Sequence, residues 1–271
     1  MERTARQAAD RIIGKLKVRS DVDVQAYLDR IGYRGPLTVT AETLRALQIA
    51  HLQAVPFENL SIHARQPIVL DDEALFDKVV MRRRGGFCYE LNGLFAALLR
   101  ALGFQVAMLS AGVARPDGTF SPEFDHMALL VTLEERWLAD VGFGDSFRDP
   151  LRVDERGEQP EGPRSFRIDE DGDYLLLLRR DDPAEPWKPQ YRFTLRPYEY
   201  ADYAGMCHFH QTSPESHFTR QTVCSLATPE GRVTLSGMRL ITTRGGERHE
   251  RILESEEERA ALLRELFGVV M

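Results

Sequence analysis

Cysteine is scarce in this chain. Cys88, Cys207 and Cys224 are the only three in 271 residues, too scattered to staple a disulfide framework, and no CxxC or HExxH spacing offers a metal site. The composition fits a reducing compartment and a fold that relies on its own core. Long apolar runs are missing too: no stretch reaches the roughly 18 residues needed to span a bilayer, and no signal-peptide apolar segment stands near the start. The expected location is the cytoplasm, with no membrane partner. Positive charge is not in excess, since 35 Lys and Arg face 42 Asp and Glu for a net charge of −7. With no basic stripe interleaved with aromatics, nucleic acid is excluded as the main partner and a small ligand is favoured. Internal repeats and low-complexity linkers are absent, and the two glycines before Cys88 belong to no GxxxxGK[ST] phosphate loop.

Residues 1–20 read as a basic amphipathic extension, with Arg3, Arg6, Arg11, Lys15, Lys17 and Arg19 around small and apolar residues. From Asp21 the pattern predicts helices. DVDVQAYLDRIGY ends near Gly32, TAETLRALQIAHLQAVPF starts at an N-cap Thr40 and stops at Pro56, and DDEALFDKVVMR leads to the glycines. CYELNGLFAALLRALG follows, its apolar face running through Leu91, Leu94, Phe95 and Leu98. After Gly103 the texture changes to β-type runs: QVAMLSAGVA, HMALLVTL, RWLADVGF, DYLLLLRR and YRFTLRPY. The tail adds QTVCSLAT, GRVTLSGMRLIT and RHERILE, then a helix capped near Ser255. This order predicts an α+β protein with joints near residues 103 and 196, hence units 21–102, 103–195 and 196–271.

The chemistry gathers around RRRGGFCYELN. Gly85 and Gly86 allow a tight turn into a helix whose first residue is Cys88, where the helix dipole and unpaired amides favour a thiolate and offer donors to an oxyanion. Cysteine at that position is equally compatible with a buried, inert thiol. His126 and Asp140 follow beside expected strands. Imidazole can take the thiol proton and a carboxylate can fix the imidazole tautomer, so Cys, His and Asp have the residue types of a nucleophilic triad. Taken singly, His126 is an ordinary core histidine and Asp140 an ordinary turn residue.

Read together, HLQAVPFENL, RRRGGFCYELN, HMALLV, ADVGFG and HQTSPESHFTRQTVCSLATPEGRVTL resemble, in order, the recurring blocks of the arylamine N-acetyltransferase family. The resemblance runs from about Asp21 to near the end. It implies an N-terminal helical bundle, a central β-barrel and a C-terminal α/β lid, with a Cys-His-Asp triad of thiol-protease type. Cys88 would accept the acyl group, His126 act as its base and Asp140 orient the imidazole. Acetyl-CoA would acetylate Cys88 and an arylamine, arylhydrazine or hydrazide take the acetyl group, with no metal, as in xenobiotic metabolism.

The same resemblance implies an Arg84–Glu58 ion pair tying the cysteine loop to the preceding helix, and Asn92 supporting the triad. Phe57 and Phe143 would line the acceptor pocket. Asp125 falls where the family carries small or polar residues, a departure that favours cationic or hydrazine-like acceptors. Gly142, Gly144, Ser213 and Ser216 match a segment bordering the CoA channel. Two other chemistries share this residue order: a macrolactam-forming amide synthase or other acyltransferase on the same fold, and a transglutaminase-like or papain-like thiol hydrolase. The flanking blocks favour the acetyltransferase.

Overall fold

The computed structural model describes residues 22–270; the basic extension predicted over 1–20 lies outside them. Helix α1 (Val24–Ile31) is opened by Asp23, whose carboxylate accepts from the Ala26 amide, and closed by left-handed Gly32. Helix α2 (Ala41–Ala54) begins at Thr40, whose hydroxyl accepts from the Thr43 amide. Pro56 then turns the chain into a two-residue strand, β1 (Phe57–Glu58). The short helix α3 (Leu60–His63) follows, then α4 (Asp72–Phe76), which widens into a π-helical turn over Asp77–Met81. Helix α5 (Cys88–Ala101) is buried without interruption from Cys88 to Leu99. The predicted apolar stripe through Leu91, Leu94, Phe95 and Leu98 is thus only one side of a wholly enclosed helix.

The predicted strands form an antiparallel eight-stranded sheet in the order β5-β4-β3-β2-β9-β8-β7-β6. Their ranges are β2 Gln105–Val113, β3 His126–Thr132, β4 Arg136–Ala139, β5 Leu151–Arg152, β6 Gln159–Glu161, β7 Arg164–Asp171, β8 Tyr174–Arg180 and β9 Lys188–Tyr198. The sheet curls until its edges nearly meet. Across the gap the Gln159 side chain imitates a strand, accepting from the Arg152 amide at 2.8 Å and donating to its carbonyl at 3.0 Å. Strand β3 is covered on both faces, which explains its unbroken apolar run. Met127, Leu129 and Val131 pack against the helices, while Ala128 and Leu130 enter the barrel core with Phe166, Ile168 and Tyr191.

A second antiparallel sheet, ordered β1-β10-β11-β12-β13, brings residues 57–58 beside the strands of residues 223–252. Its last four strands are β10 Val223–Thr228, β11 Gly231–Ser236, β12 Arg239–Arg244 and β13 Glu247–Ile252. Strand β1 pairs Phe57 with Ser225 and Glu58 with Cys224. Helix α8 (Glu256–Phe267), capped at Ser255 as predicted, closes this sheet through Leu263 and Phe267. Between the sheets lie α6 (Tyr200–Thr212) and the single turn α7 (His217–Arg220). Among the described residues no helix is long and apolar enough to cross a membrane.

The structure departs from the sequence reading most clearly around the site, at α6 and at the end of β4. Helix α6 was not foreseen, because its buried stripe consists of Tyr203, Cys207 and His210, none of them a plain hydrocarbon. The predicted strand RWLADVGF ends at Ala139, so Asp140 to Phe143 form a loop instead.

Candidate active site

The two glycines before Cys88 are required by close packing. A β-carbon on Gly85 would stand 1.9 Å from the Pro56 carbonyl oxygen, and one on Gly86 would stand 2.7 Å from the Glu90 side chain. The loop runs beside β1, where the Glu58 amide donates to the Gly86 carbonyl at 2.8 Å. Two buried ion pairs fasten it. Arg84 Nη2 lies 2.8 Å from Glu58 Oε1, and the second Glu58 oxygen accepts from the Leu60 amide at 2.6 Å. Glu58 sits on strand β1, beyond the end of α2, so the pair ties the cysteine loop to a strand rather than to a helix. The second pair, Lys78 with Glu90 at 2.6 Å, was not anticipated. Glu90 also accepts from the Phe87 amide at 3.1 Å, fixing the residue before Cys88.

His126 opens β3 and Asp140 follows the end of β4. The antiparallel pairing of these strands brings them together, with His126 Nε2 2.8 Å from Asp140 Oδ2. Tyr191 donates its hydroxyl to the same oxygen at 3.2 Å. Burial, followed by the Asp140 charge, raises the Tyr191 phenol well above its ordinary range, so it remains a donor. The other carboxylate oxygen accepts from Asn92 Nδ2 at 2.8 Å and from the Gly142 amide at 2.9 Å. Asn92, one turn after Cys88, also donates to the Met127 carbonyl at 2.6 Å and accepts from the Val141 amide at 2.8 Å. One side chain on α5 thereby links β3 to the loop after β4. Gln48 on α2 accepts from the Asp140 amide at 3.1 Å, a support that its place on the helix did not reveal.

With Nε2 committed to Asp140, Nδ1 is the ring nitrogen left for proton exchange. The Met127 amide, next in the chain after His126, donates toward the Cys88 sulfur. Burial pushes the Cys88 thiol well above a cysteine's ordinary range; this amide pulls the other way, and the carboxylates of Asp125 and Asp140 add to the rise. The other two thiols are buried as well. Cys207 is pushed up to about 12, chiefly by burial, and Cys224 is raised within the second sheet.

Cys88 and His126 share a cavity of about 530 Å³ with Phe57, Asp125, Gly142, Phe143 and Gly144. Phe143 stands edge-on to the His126 ring at 5.1 Å, and Phe57 lies 6.1 Å from Phe218. The far wall comes from the second sheet and carries Arg232 and Arg248. Ser213 and Ser216 do not line the cavity. Ser213 closes α6 and its hydroxyl accepts from the Glu215 amide, while Ser216 caps α7 and is bonded to His210.

An N-acetyltransferase family model matches residues 40–271. Human arylamine N-acetyltransferase 1 is 36% identical over 92% of this chain and 94% of its own. The chain belongs to the arylamine N-acetyltransferase family. Among solved members, the Mycobacterium marinum enzyme in complex with CoA superposes with a TM-score of 0.85 at 34% identity, covering 91% of this chain and 93% of that one. The Salmonella typhimurium enzyme gives the same TM-score at 32% identity, covering 91% of this chain and 90% of its own. The family resemblance of the five sequence blocks is therefore upheld, as is a mixed fold built on a nearly closed eight-stranded sheet.

Proposed function

We propose that this arylamine N-acetyltransferase works by double displacement through Cys88, with His126 and Asp140 completing a catalytic triad. In the first half, the Cys88 thiol passes its proton to His126 Nδ1 as sulfur attacks the acetyl-CoA carbonyl. The bond to the CoA sulfur breaks, and that sulfur leaves with the proton from His126. In the second half, an arylamine, arylhydrazine or hydrazide attacks the acetyl group on Cys88. Its proton moves through His126 to the departing Cys88 sulfur, and the amide is released.

The observation that carries this reading is the 2.8 Å contact between His126 Nε2 and Asp140, on the wall of the cavity that Cys88 faces. Asp140 fixes the tautomer and stabilises the imidazolium that forms. Moving the proton from Cys88 to His126 creates a paired thiolate and imidazolium, which burial penalises less than a lone thiolate. The Arg232 and Arg248 wall suits the phosphates of CoA. Gly142 and Gly144, on the same cavity, leave room for its pantetheine arm.

The test is mass spectrometry of the protein incubated with acetyl-CoA alone, paired with initial-rate kinetics. One acetyl group on the Cys88 peptide and parallel double-reciprocal lines are expected. An unmodified protein with intersecting lines overturns the covalent route.

A further inference from the structure

Asp125 stands next to His126 yet has no part in the proton transfers above. The backbone is constrained to put it there. Phe124 has φ +66, a left-handed conformation that is strained for a bulky residue. Tyr89, on α5, donates its hydroxyl to the Phe124 carbonyl at 2.6 Å, and Ser110, on β2, accepts from the Phe124 amide at 2.7 Å. These bonds hold the turn, and the Asp125 carboxylate, 16% exposed, faces the cavity that contains Cys88.

Behind it lies His210 of α6. Its Nε2 is 3.0 Å from Asp125 Oδ1, off the line of a well-aligned hydrogen bond, and its Nδ1 is 3.0 Å from Ser216 Oγ. The Ser216 oxygen also accepts from the Phe218 amide at 3.2 Å. The Ser216 hydroxyl can donate to Nδ1, which leaves Nε2 to carry a proton toward Asp125. Burial pushes the Asp125 carboxyl up, but the neighbouring His210 ring and Ser121 hydroxyl outweigh it and leave the carboxyl below its ordinary value. Among the described residues no Lys or Arg pairs with Asp125. On the far wall Arg232 lies 3.3 Å from Asp145 and Arg248 pairs with Glu250, so neither neutralises Asp125.

We propose that Asp125, held by His210, selects the acceptor: its carboxylate binds an N–H donor adjacent to the attacking nitrogen, as in a hydrazide, and repels acceptors that carry a carboxylate. The proposal rests on the acetyltransferase reading. During transfer the attacking nitrogen forms the C–N bond, the C–S bond to Cys88 breaks, and the proton travels through His126. Asp125 neither gains nor loses a proton; it orients the acceptor. His210 is a positioning residue that acts through Asp125.

The experiment compares kcat/KM for benzoic hydrazide and 4-aminobenzoate in the parent enzyme, Asp125→Asn and His210→Leu, with CoA release from acetyl-CoA in the absence of acceptor measured separately. In Asp125→Asn the hydrazide-to-aminobenzoate ratio should fall roughly tenfold or more, the size of one lost hydrogen bond to a charged group. His210→Leu should move the ratio in the same direction by less. An unchanged ratio in Asp125→Asn overturns the proposal. Should the variants fail to fold, the parent enzyme decides: KM for 4-aminobenzoate should exceed that for its neutral methyl ester by roughly tenfold or more, because like charges set against each other weaken binding, and equal values overturn the assignment. Absence of the CoA burst in the parent enzyme would count against the acetyltransferase reading itself, and is read independently of either ratio.

Discussion

Gly142 packs directly against the first residue of the cysteine helix: a β-carbon on it would stand 2.7 Å from Cys88 Cα and 2.7 Å from Asn92 Nδ2. Neither neighbour can yield easily, one being backbone and the other bonded to both Asp140 and Met127. Gly142→Ala should displace the loop that carries Asp140 while leaving the barrel folded. A kcat loss on the order of 100-fold is expected, with little change in the melting temperature. Near-parental activity would show that the loop has slack.

The loop before Cys88 depends on two buried ion pairs, so removing one partner leaves a charge without compensation. Glu58→Gln should cost about 3 to 5 kcal/mol of stability, measured by urea denaturation, and Lys78→Met should cost a similar amount. Parent-like denaturation midpoints would mean that water replaces the lost partners.

Both pairs bear on what the sequence could reveal. Arg84, Glu58 and Asn92 were readable because they lie within blocks that resemble a family. Lys78, Gln48 and Tyr191 were not, because each sits on its element as an ordinary polar or aromatic residue and finds its partner only through tertiary packing. Helices α1, α2, α5 and α8 were legible from caps and apolar spacing, and β3 from its unbroken run. Strand β7 was hidden because only Phe166 and Ile168 alternate among its charges. The Asp125–His210 contact joins residues 85 positions apart through a helix that was itself missed.

The Phe143 ring packs near-perpendicular to His126 and tilted against Tyr191, with centroids 5.1 and 5.2 Å apart. Facing the cavity, it is placed to stack on an arylamine. Phe143→Ala should therefore lower kcat/KM for an aniline more than it lowers the rate of Cys88 acetylation by acetyl-CoA. Rapid-quench measurement of the first half-reaction beside steady-state acceptor kinetics separates the two. Equal losses would assign the ring to packing alone.

Cys88 should be the one thiol of the three that reacts quickly with iodoacetamide at mildly acidic pH. All three are buried, but only Cys88 faces the cavity, and only it has an imidazole on the same wall to take its proton. Cys207, held near 12, and Cys224, raised within the sheet, stay as unreactive thiols at pH 6. The sign of the His126 effect follows from the burial of Cys88. Without the imidazole, the thiolate must exist alone in a site that pushes its pKa up, so at any given pH below that value the reactive fraction falls. In His126→Ala, Cys88 labelling at pH 6 should nearly vanish and return only as the solution is made alkaline. Asp140→Asn should weaken labelling at pH 6, because it removes the charge that stabilises the imidazolium while retaining the side chain's shape. Peptide mapping after brief alkylation, repeated from pH 5 to pH 10, reads all of these at once. Equal labelling of the parent enzyme and His126→Ala at pH 6 would show that the helix start and the Met127 amide sustain the thiolate without the imidazole, and His126 would then act only on the acceptor and the leaving group.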